Sequence, residues 1–139
     1  IAKAVAKLTY AFANATVPKV NVIIGEALGS SYLTMNSKSI GADIVFAWPT
    51  ASIGMMDAKE AVKIMYAEEI KDSVDSVSLL TKKTEEYASL QSSVESAASR
   101  GYVDDIISPQ DTRKYIIGAF EMLFTKREDR PRKKHGCVL

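Results

Sequence analysis

Residues 2–14 place Val5, Leu8, Ala11 and Phe12 at three- and four-residue steps, which predicts a helix with one apolar face. Pro18 closes that run, and the β-branched stretch Val20-Asn21-Val22-Ile23-Ile24 predicts a strand. Gly25-Glu26-Ala27-Leu28 reads as a small-residue turn leading through Gly29-Ser30-Ser31-Tyr32 into a helix over Ser31 to Lys38, with Gly41 just beyond its end. Asp43 to Trp48 is nearly all apolar and predicts a buried strand. Pro49-Thr50 breaks it, and Ser52 to Met56 predicts a second, short strand. Asp57 then stands as N-cap of a helix over Ala58 to Met65, followed by a charged, irregular segment from Tyr66 to Asp72. Val74, Val77, Leu80, Thr84, Tyr87, Leu90, Val94 and Ala97 predict one long helix from about Ser73 to Arg100, ended by Gly101 in the left-handed conformation. Tyr102 to Ile107 predicts a strand, and Ser108-Pro109-Gln110-Asp111 has the order of a helix start. The last helix is expected to run to about Phe124 and to bury Ile116, Ala119, Phe120 and Leu123. Alternating strands and helices predict a layered α/β arrangement. The sequence displays no internal repeat and no linker, and the long helix is expected outside the sheet or against another subunit.

The junction at Gly25–Tyr32 is the richest in chemistry. A helix starting straight after a strand points unpaired backbone N–H groups out of the turn, and its dipole adds partial positive charge there. Small residues allow a ligand close to the backbone. Such a junction can serve as an oxyanion site made of main chain, although spacing alone favours a structural turn packed by small residues.

Composition narrows the class without naming a function. The chain has 139 residues, 47% hydrophobic and 25% charged, with a formal net charge of +1. These are the proportions of one ordinary globular domain, and the charge balance favours neither nucleic acid nor an acidic membrane. No apolar run is long enough to span a bilayer. The single cysteine, Cys137, excludes an internal disulfide and fits a reducing cytoplasm; it sits one place too late for a prenylation box. One His and one Cys argue against a protein-only zinc site, so no metal is expected. The chain opens on Ile1 rather than Met and is expected to be part of something longer.

Three separated blocks carry a resemblance. They are ATVPKVNVIIGEALGSSY, DIVFAWPTASIGMMDAKEAV and RGYVDDIISPQDTRKYIIGAFEMLFTKREDRPRKKHG. In this order they resemble the C-terminal half of biotin-dependent acyl-CoA carboxyltransferase subunits, such as the beta subunit of propionyl-CoA carboxylase and the carboxyltransferase subunit of methylmalonyl-CoA decarboxylase. The resemblance implies an α/β, crotonase-like (ClpP/crotonase) fold of repeated β-β-α units, here the C-terminal half only. It implies a carboxybiotin-side domain over residues 1–124, followed by a charged tail over 125–139. The implied reaction is carboxyl transfer between carboxybiotin and a coenzyme A thioester. Biotin would arrive on a separate carrier protein, since no Met-Lys-Met attachment motif is present. The implied partners are that carrier, biotin carboxylase or decarboxylase subunits, and further copies of the subunit, usually six.

The resemblance also assigns residues. Gly29, Ser30, Ser31 and Tyr32 occupy the cofactor-binding turn, with the backbone amides of Ser30 and Ser31 as the oxyanion donors. Where the family often has Gly-Gly-Ala-Tyr-Asp, this chain has Gly29-Ser30-Ser31-Tyr32-Leu33. The amides survive that change, while Leu33 replaces a charge at a position tied to acyl-chain preference. Met-Gly-Ala-Lys-Gly is here Met56-Asp57-Ala58-Lys59-Glu60. Ser93-Val94 replaces an Asn-Pro, which is expected to let the long helix continue.

Other chemistry is weaker. Gly29-Ser30-Ser31-Tyr32-Leu33 lacks the second glycine of a nucleophile elbow, and His135 lies among Lys133 and Lys134 in the tail. Asp104 and Asp105, as neighbours on a strand, face opposite sides. Met55, Met56 and Met65 are expected in the core, as are Phe46 and Trp48, with Trp48 as a lesser candidate for a pocket wall. Lys126, Arg127 and the following basic residues read as a solvated end, with contact to a coenzyme A phosphate or a neighbouring subunit as the functional alternative. Two rivals remain: a decarboxylase running the same chemistry in reverse, and a non-catalytic packing module.

Overall fold

The computed structural model describes residues 1–73 and 75–131. The chain opens with helix α1 (Ala2–Asn14), as its periodicity predicts. Two β-β-α units follow. The first comprises β1 (Val20–Ile23), β2 (Glu26–Leu28) and α2 (Gly29–Thr34). The second comprises β3 (Ile44–Ala47), β4 (Ser52–Gly54) and α3 (Ala58–Met65). Each strand of the first unit pairs in parallel with its counterpart in the second, Val20 opposite Ile44 through Ile23 opposite Ala47, and Glu26 opposite Ser52 through Leu28 opposite Gly54. This is an internal repeat that the sequence hides, because the two units share backbone geometry and not residues. The predicted turn at Glu26–Leu28 is therefore a strand, too short to carry a pattern of its own.

Strand β3 is the centre of the fold. It pairs with β1 on one side and with β5 (Asp105–Ile106) on the other, giving the order β1-β3-β5. Val45 and Ala47 face the cluster that includes Ile23, Ile53, Val94, Ala97 and Val103. Phe46 faces the opposite cluster with Ile107 and Ala119, the latter on α7 (Thr112–Met122). Alternation along a strand sends neighbours to opposite faces, so burial on both faces is what makes this stretch read as a continuous apolar run.

The predicted long helix is broken. The chain forms α4 (Ala67–Asp72), α5 (Ser76–Tyr87), a π-turn at Ala88–Ser92 and α6 (Val94–Ser99). Ser93 is extended, bridges Ser52, and accepts a hydrogen bond from the Ser96 N–H at 3.2 Å, capping α6. A serine at that point serves both a strand contact and a cap, which the uninterrupted apolar spacing conceals. Val94 and Ala97 are buried, whereas Val77 and Leu90 are exposed; Val74 lies outside the described residues. The segment expected to be irregular is α4, with Glu68 and Glu69 in its first turn and Lys71 in its last, matching the helix dipole. Gly101 closes α6 at φ +80°, as predicted, with the Tyr102 N–H donating to Ala97 O at 3.0 Å. Of the apolar residues expected under α7, Ala119 is buried, Ile116 and Leu123 are half-buried, and Phe120 is exposed. Met55, Met56 and Met65, expected in the core, are exposed as well, the first two because the chain turns away where β4 ends. Among the described residues no helix is long and apolar enough to cross a membrane.

A polar latch ties the N-terminal ends of β1 and β3 to the start of the basic tail. Asp43 accepts from the Lys19 N–H at 2.7 Å and from Lys126 Nζ at 2.8 and 2.9 Å. Lys126 Nζ also reaches Val17 O at 3.3 Å. Lys19 is buried, and its Nζ donates to Phe12 O at 2.9 Å, a cation at the C-terminal end of α1. Further along, Arg130 pairs with Glu128 and donates to Ala13 O. The described beginning of the tail is thus docked, while Lys133, Lys134, His135 and Cys137 lie outside the described residues.

Burial pushes the Asp43 carboxyl up, but the hydrogen bonds and charges of Lys126 and Lys19 outweigh it and hold the group below its ordinary value. A depressed acid stabilises the fold above its unfolded value of about 3.9 and loses that contribution as pH falls through the folded value. Asp43→Asn is expected to destabilise the chain by about 2 kcal/mol at pH 7. That is less than the roughly 3–5 kcal/mol of a fully buried broken pair, because the side chains of Lys126 and Asp43 keep 14% and 20% exposure. The gap in denaturant midpoint between variant and parent should shrink as pH falls from about 3.9 through the depressed folded value of Asp43, below which both are uncharged at position 43; a constant gap across pH would refute the latch.

Candidate active site

Helix α2 begins two residues earlier than its pattern predicts, directly at the C-terminal end of β2. Gly29 carries the change of direction at φ +64°. Only glycine adopts that conformation without cost. A Cβ at this position would sit 3.4 Å from Met55 O, an ordinary contact, so glycine is required here for its backbone angle. Leu28 is the N-cap residue and offers no capping side chain, and Ser30 and Ser31 are exposed. The leading amides of a helix have no intrahelical acceptor. Here they stand at the carboxyl ends of the parallel pair β2 and β4, the end of an open sheet where ligands are commonly bound.

The helix stops at Thr34 rather than Lys38 because Asn36 takes the left-handed conformation at φ +57°, which asparagine tolerates. Asn21 Nδ2 holds the Asn36 carbonyl at 3.0 Å, and Ser37 Oγ donates to Leu33 O at 2.9 Å. Both contacts fix where α2 points. Gly41 is left-handed as predicted, at φ +100°, but it ends a short 3-10 turn over Lys38–Ile40.

Two cavities flank α2. One, of about 420 Å³, opens at the strand-to-helix junction and is lined by Ile24, Gly25, Glu26, Leu28, Ser31 and Tyr32 among others. Its acidic residue, Glu26, starts β2 and lies roughly 10 Å along the backbone from the first helical residue. The other, of about 300 Å³, lies on the far side of Tyr32 and Leu33, between β4, the π-turn and α6. Tyr32 belongs to both. Its hydroxyl is buried and has no hydrogen-bond partner. Leaving such a group unsatisfied costs about 1–3 kcal/mol. Burial, and then the nearby Tyr102, raise the Tyr32 pKa, so the phenol keeps its proton.

Of the predicted site residues, Ser31 lines the first cavity, Leu33 the second and Tyr32 both, while Gly29 and Ser30 line neither; Gly54 and Met55, from β4 and its exit, join Leu33 in the wall of the second. Sequence reading misses Gln91, Arg100 and Tyr102, which line the second cavity. No motif marks them, since the break at Ser93 is what brings the π-turn and the end of α6 over β4. Asp104 is engaged structurally: it pairs with Lys38 at 2.6 Å and accepts from the Val45 N–H at 2.8 Å. Trp48 packs with the Phe46 cluster and donates to Thr112 Oγ1 at 3.0 Å, which ties the end of β3 to α7. No group of three or more metal-ligating side chains occurs among the described residues.

The family model of the carboxyl transferase domain matches residues 1–138. The chain belongs to the carboxyl transferase family. It is 51% identical over 133 residues to a protein assigned as a propionyl-CoA carboxylase beta chain in Bacillus subtilis (strain 168), covering 96% of this chain and 26% of that one. It is 47% identical over 133 residues to the methylmalonyl-CoA decarboxylase alpha subunit of Propionigenium modestum, with the same two coverages of 96% and 26%. The crystal structure of the transcarboxylase 12S hexamer, with methylmalonyl-coenzyme A and methylmalonic acid bound, superposes with a TM-score of 0.94 at 46% identity over 98% of this chain and 26% of that one. The solved relatives have the crotonase-like fold that the resemblance implies, and the paired β-β-α units here are that fold. The carboxyl transferase chain described here spans about a quarter of the length of the relatives it matches.

Because Gly29 is held by its angle and not by crowding, Gly29→Ala should fold but lose about 1 kcal/mol, the cost of a left-handed alanine. Thermal melting checks this. A variant as stable as the parent would mean that the junction does not hold φ positive.

Proposed function

We propose that this chain is the carboxybiotin-side part of an acyl-CoA carboxyltransferase, and that the backbone amides of Ser30 and Ser31 stabilise an oxygen on which negative charge develops. One observation carries the reading: in a chain of the carboxyl transferase family, an uncapped helix start bears two exposed serines, of which Ser31 lines a cleft at the strand-to-helix junction. Those donors suit a ureido oxygen held at the turn, with Gly29 setting the change of direction and Tyr32 forming the wall. Biotin, when bound, supplies the ureido group that carries the carboxyl group and takes up the substrate proton. The chain's own part is to aim N–H donors and to keep them fixed, which calls for no titrating side chain. On this reading Leu33, half-buried in the wall of the second cavity, bears on which acyl chain is accepted.

The proposed partners are a biotin carrier protein, its biotin carboxylase, and further copies of the subunit. The 47% identity to a methylmalonyl-CoA decarboxylase alpha subunit supports a second reading, in which the same site runs from the carboxylated thioester toward carboxybiotin. Taken alone, the chain is a packing module, because half of a shared site holds one reactant. The isolated 139 residues should therefore show no carboxyl transfer between malonyl-CoA and free biotin. Turnover by that chain would overturn the division of labour.

In a full-length subunit, Ser31→Pro removes one donor and Ser31→Ala keeps it. Loss of one oxyanion donor typically lowers kcat about 10²–10³-fold. Carboxyl-transfer assays should show that loss for Ser31→Pro, with its circular dichroism and oligomeric state retained, and a change within about threefold for Ser31→Ala. An alanine variant as inactive as the proline variant would refute a backbone donor.

A further inference from the structure

The second cavity has a chemical character that the oxyanion reading does not use. Its floor is apolar, with Ile53 and Ala97. Its polar lining includes Tyr32, Ser39, Gln91, Ser92, Arg100 and Tyr102, and no acidic side chain among the described residues lines it. Arg100 donates to the Gln91 side-chain oxygen and has no ion-pair partner among the described residues. Tyr32 contributes a buried hydroxyl with nothing to donate to. A cavity with one guanidinium that has no ion pair, an orphan phenol and no anionic side chain among the described residues matches a ligand that is itself an anion on a short carbon skeleton. At about 300 Å³ it has room for a small molecule.

We propose that this cavity is a carboxylate-binding recess, in which Tyr32 donates its hydroxyl to the anion, Arg100 pairs with it from the rim, and Ile53 and Ala97 contact its carbon skeleton. Because burial and Tyr102 raise the Tyr32 pKa, the phenol stays a donor throughout the neutral range. Buried polar groups are almost always satisfied, and a bound carboxylate would satisfy this one. Arg100 can exchange a neutral amide oxygen for a charged one, and the charge-assisted bond is the stronger. The recess rests on the carboxyl-transfer reading for its place in catalysis, but its affinity for an anion stands apart from turnover.

Binding of malonate to the 139-residue chain, followed by titration calorimetry, tests this. Malonamide, of the same size and uncharged, is the control. Malonate should bind at least tenfold more tightly than malonamide. Tyr32→Phe should weaken malonate at least fivefold while melting at or above the parent temperature, because it removes an unsatisfied group. Arg100→Gln should weaken malonate at least tenfold, and Arg100→Lys should recover part of that loss. Equal affinity for malonate and malonamide would overturn the proposal. So would a Tyr32→Phe variant that binds malonate like the parent, since the hydroxyl then has only a structural role. Neither result depends on carboxyl transfer, so the oxyanion assignment can fail at Ser31 while the recess stands, and the reverse.

Discussion

Strand β3 is the element on which the rest depends. It is hydrogen-bonded along both edges, to β1 and to β5, and covered on both faces, by Val45 and Ala47 toward one cluster and Phe46 toward the other. A strand so placed has no solvent side. Its parallel pairing with β1 sets one β-β-α unit beside the other, and β2 lies beside β4 in the same parallel sense. The start of α2 is then fixed in space, since it follows β2 with no intervening residue. The position of the α2 start is thus inherited from sheet pairing, and the side chains of Asn21 and Ser37 fix the direction of the helix that follows.

The polar contacts act at the opposite end of the strands. Asp43 gathers Lys19 and Lys126 where β1 and β3 begin, and Lys38 joins Asp104 to the carbonyl of Asp43. These bonds hold the N-terminal ends of the sheet, leaving the C-terminal ends open to the cavities. The separation is physically sensible. A charge latch beside a donor site for a developing oxyanion would compete with it, whereas at the far end of the sheet it stabilises without interfering.

The two cavities beside α2 differ in kind. The one at the junction is lined by consecutive residues of β1, β2 and α2, among them Glu26, Ser31 and Tyr32. The one behind Tyr32 is made by side chains from three separate parts of the chain, and its chemistry is that of a cation and phenols. Tyr32 is the partition between them, so its position couples the two. On the proposed readings, donors and an anion recess lie within one short helix of each other.

Much of the fold was legible in the residues. Helix α1 and helix α3 with its Asp57 cap match their predicted bounds, and the left-handed Gly101 is where the pattern puts it. Those features are local: a cap, a face or a positive φ is settled by a few neighbouring residues. The family resemblance, carried by contiguous blocks, was legible for the same reason. What only the tertiary structure decided is non-local. The strand at Glu26–Leu28 exists because β4 lies beside it, and the long helix breaks because Ser93 meets Ser52. Arg100, Gln91 and Tyr102 line a cavity with Tyr32 only once that break has folded α6 back. Sequence periodicity records which residues prefer burial; it does not record which partner buries them, and the pairing energy that settles the matter comes from residues far along the chain.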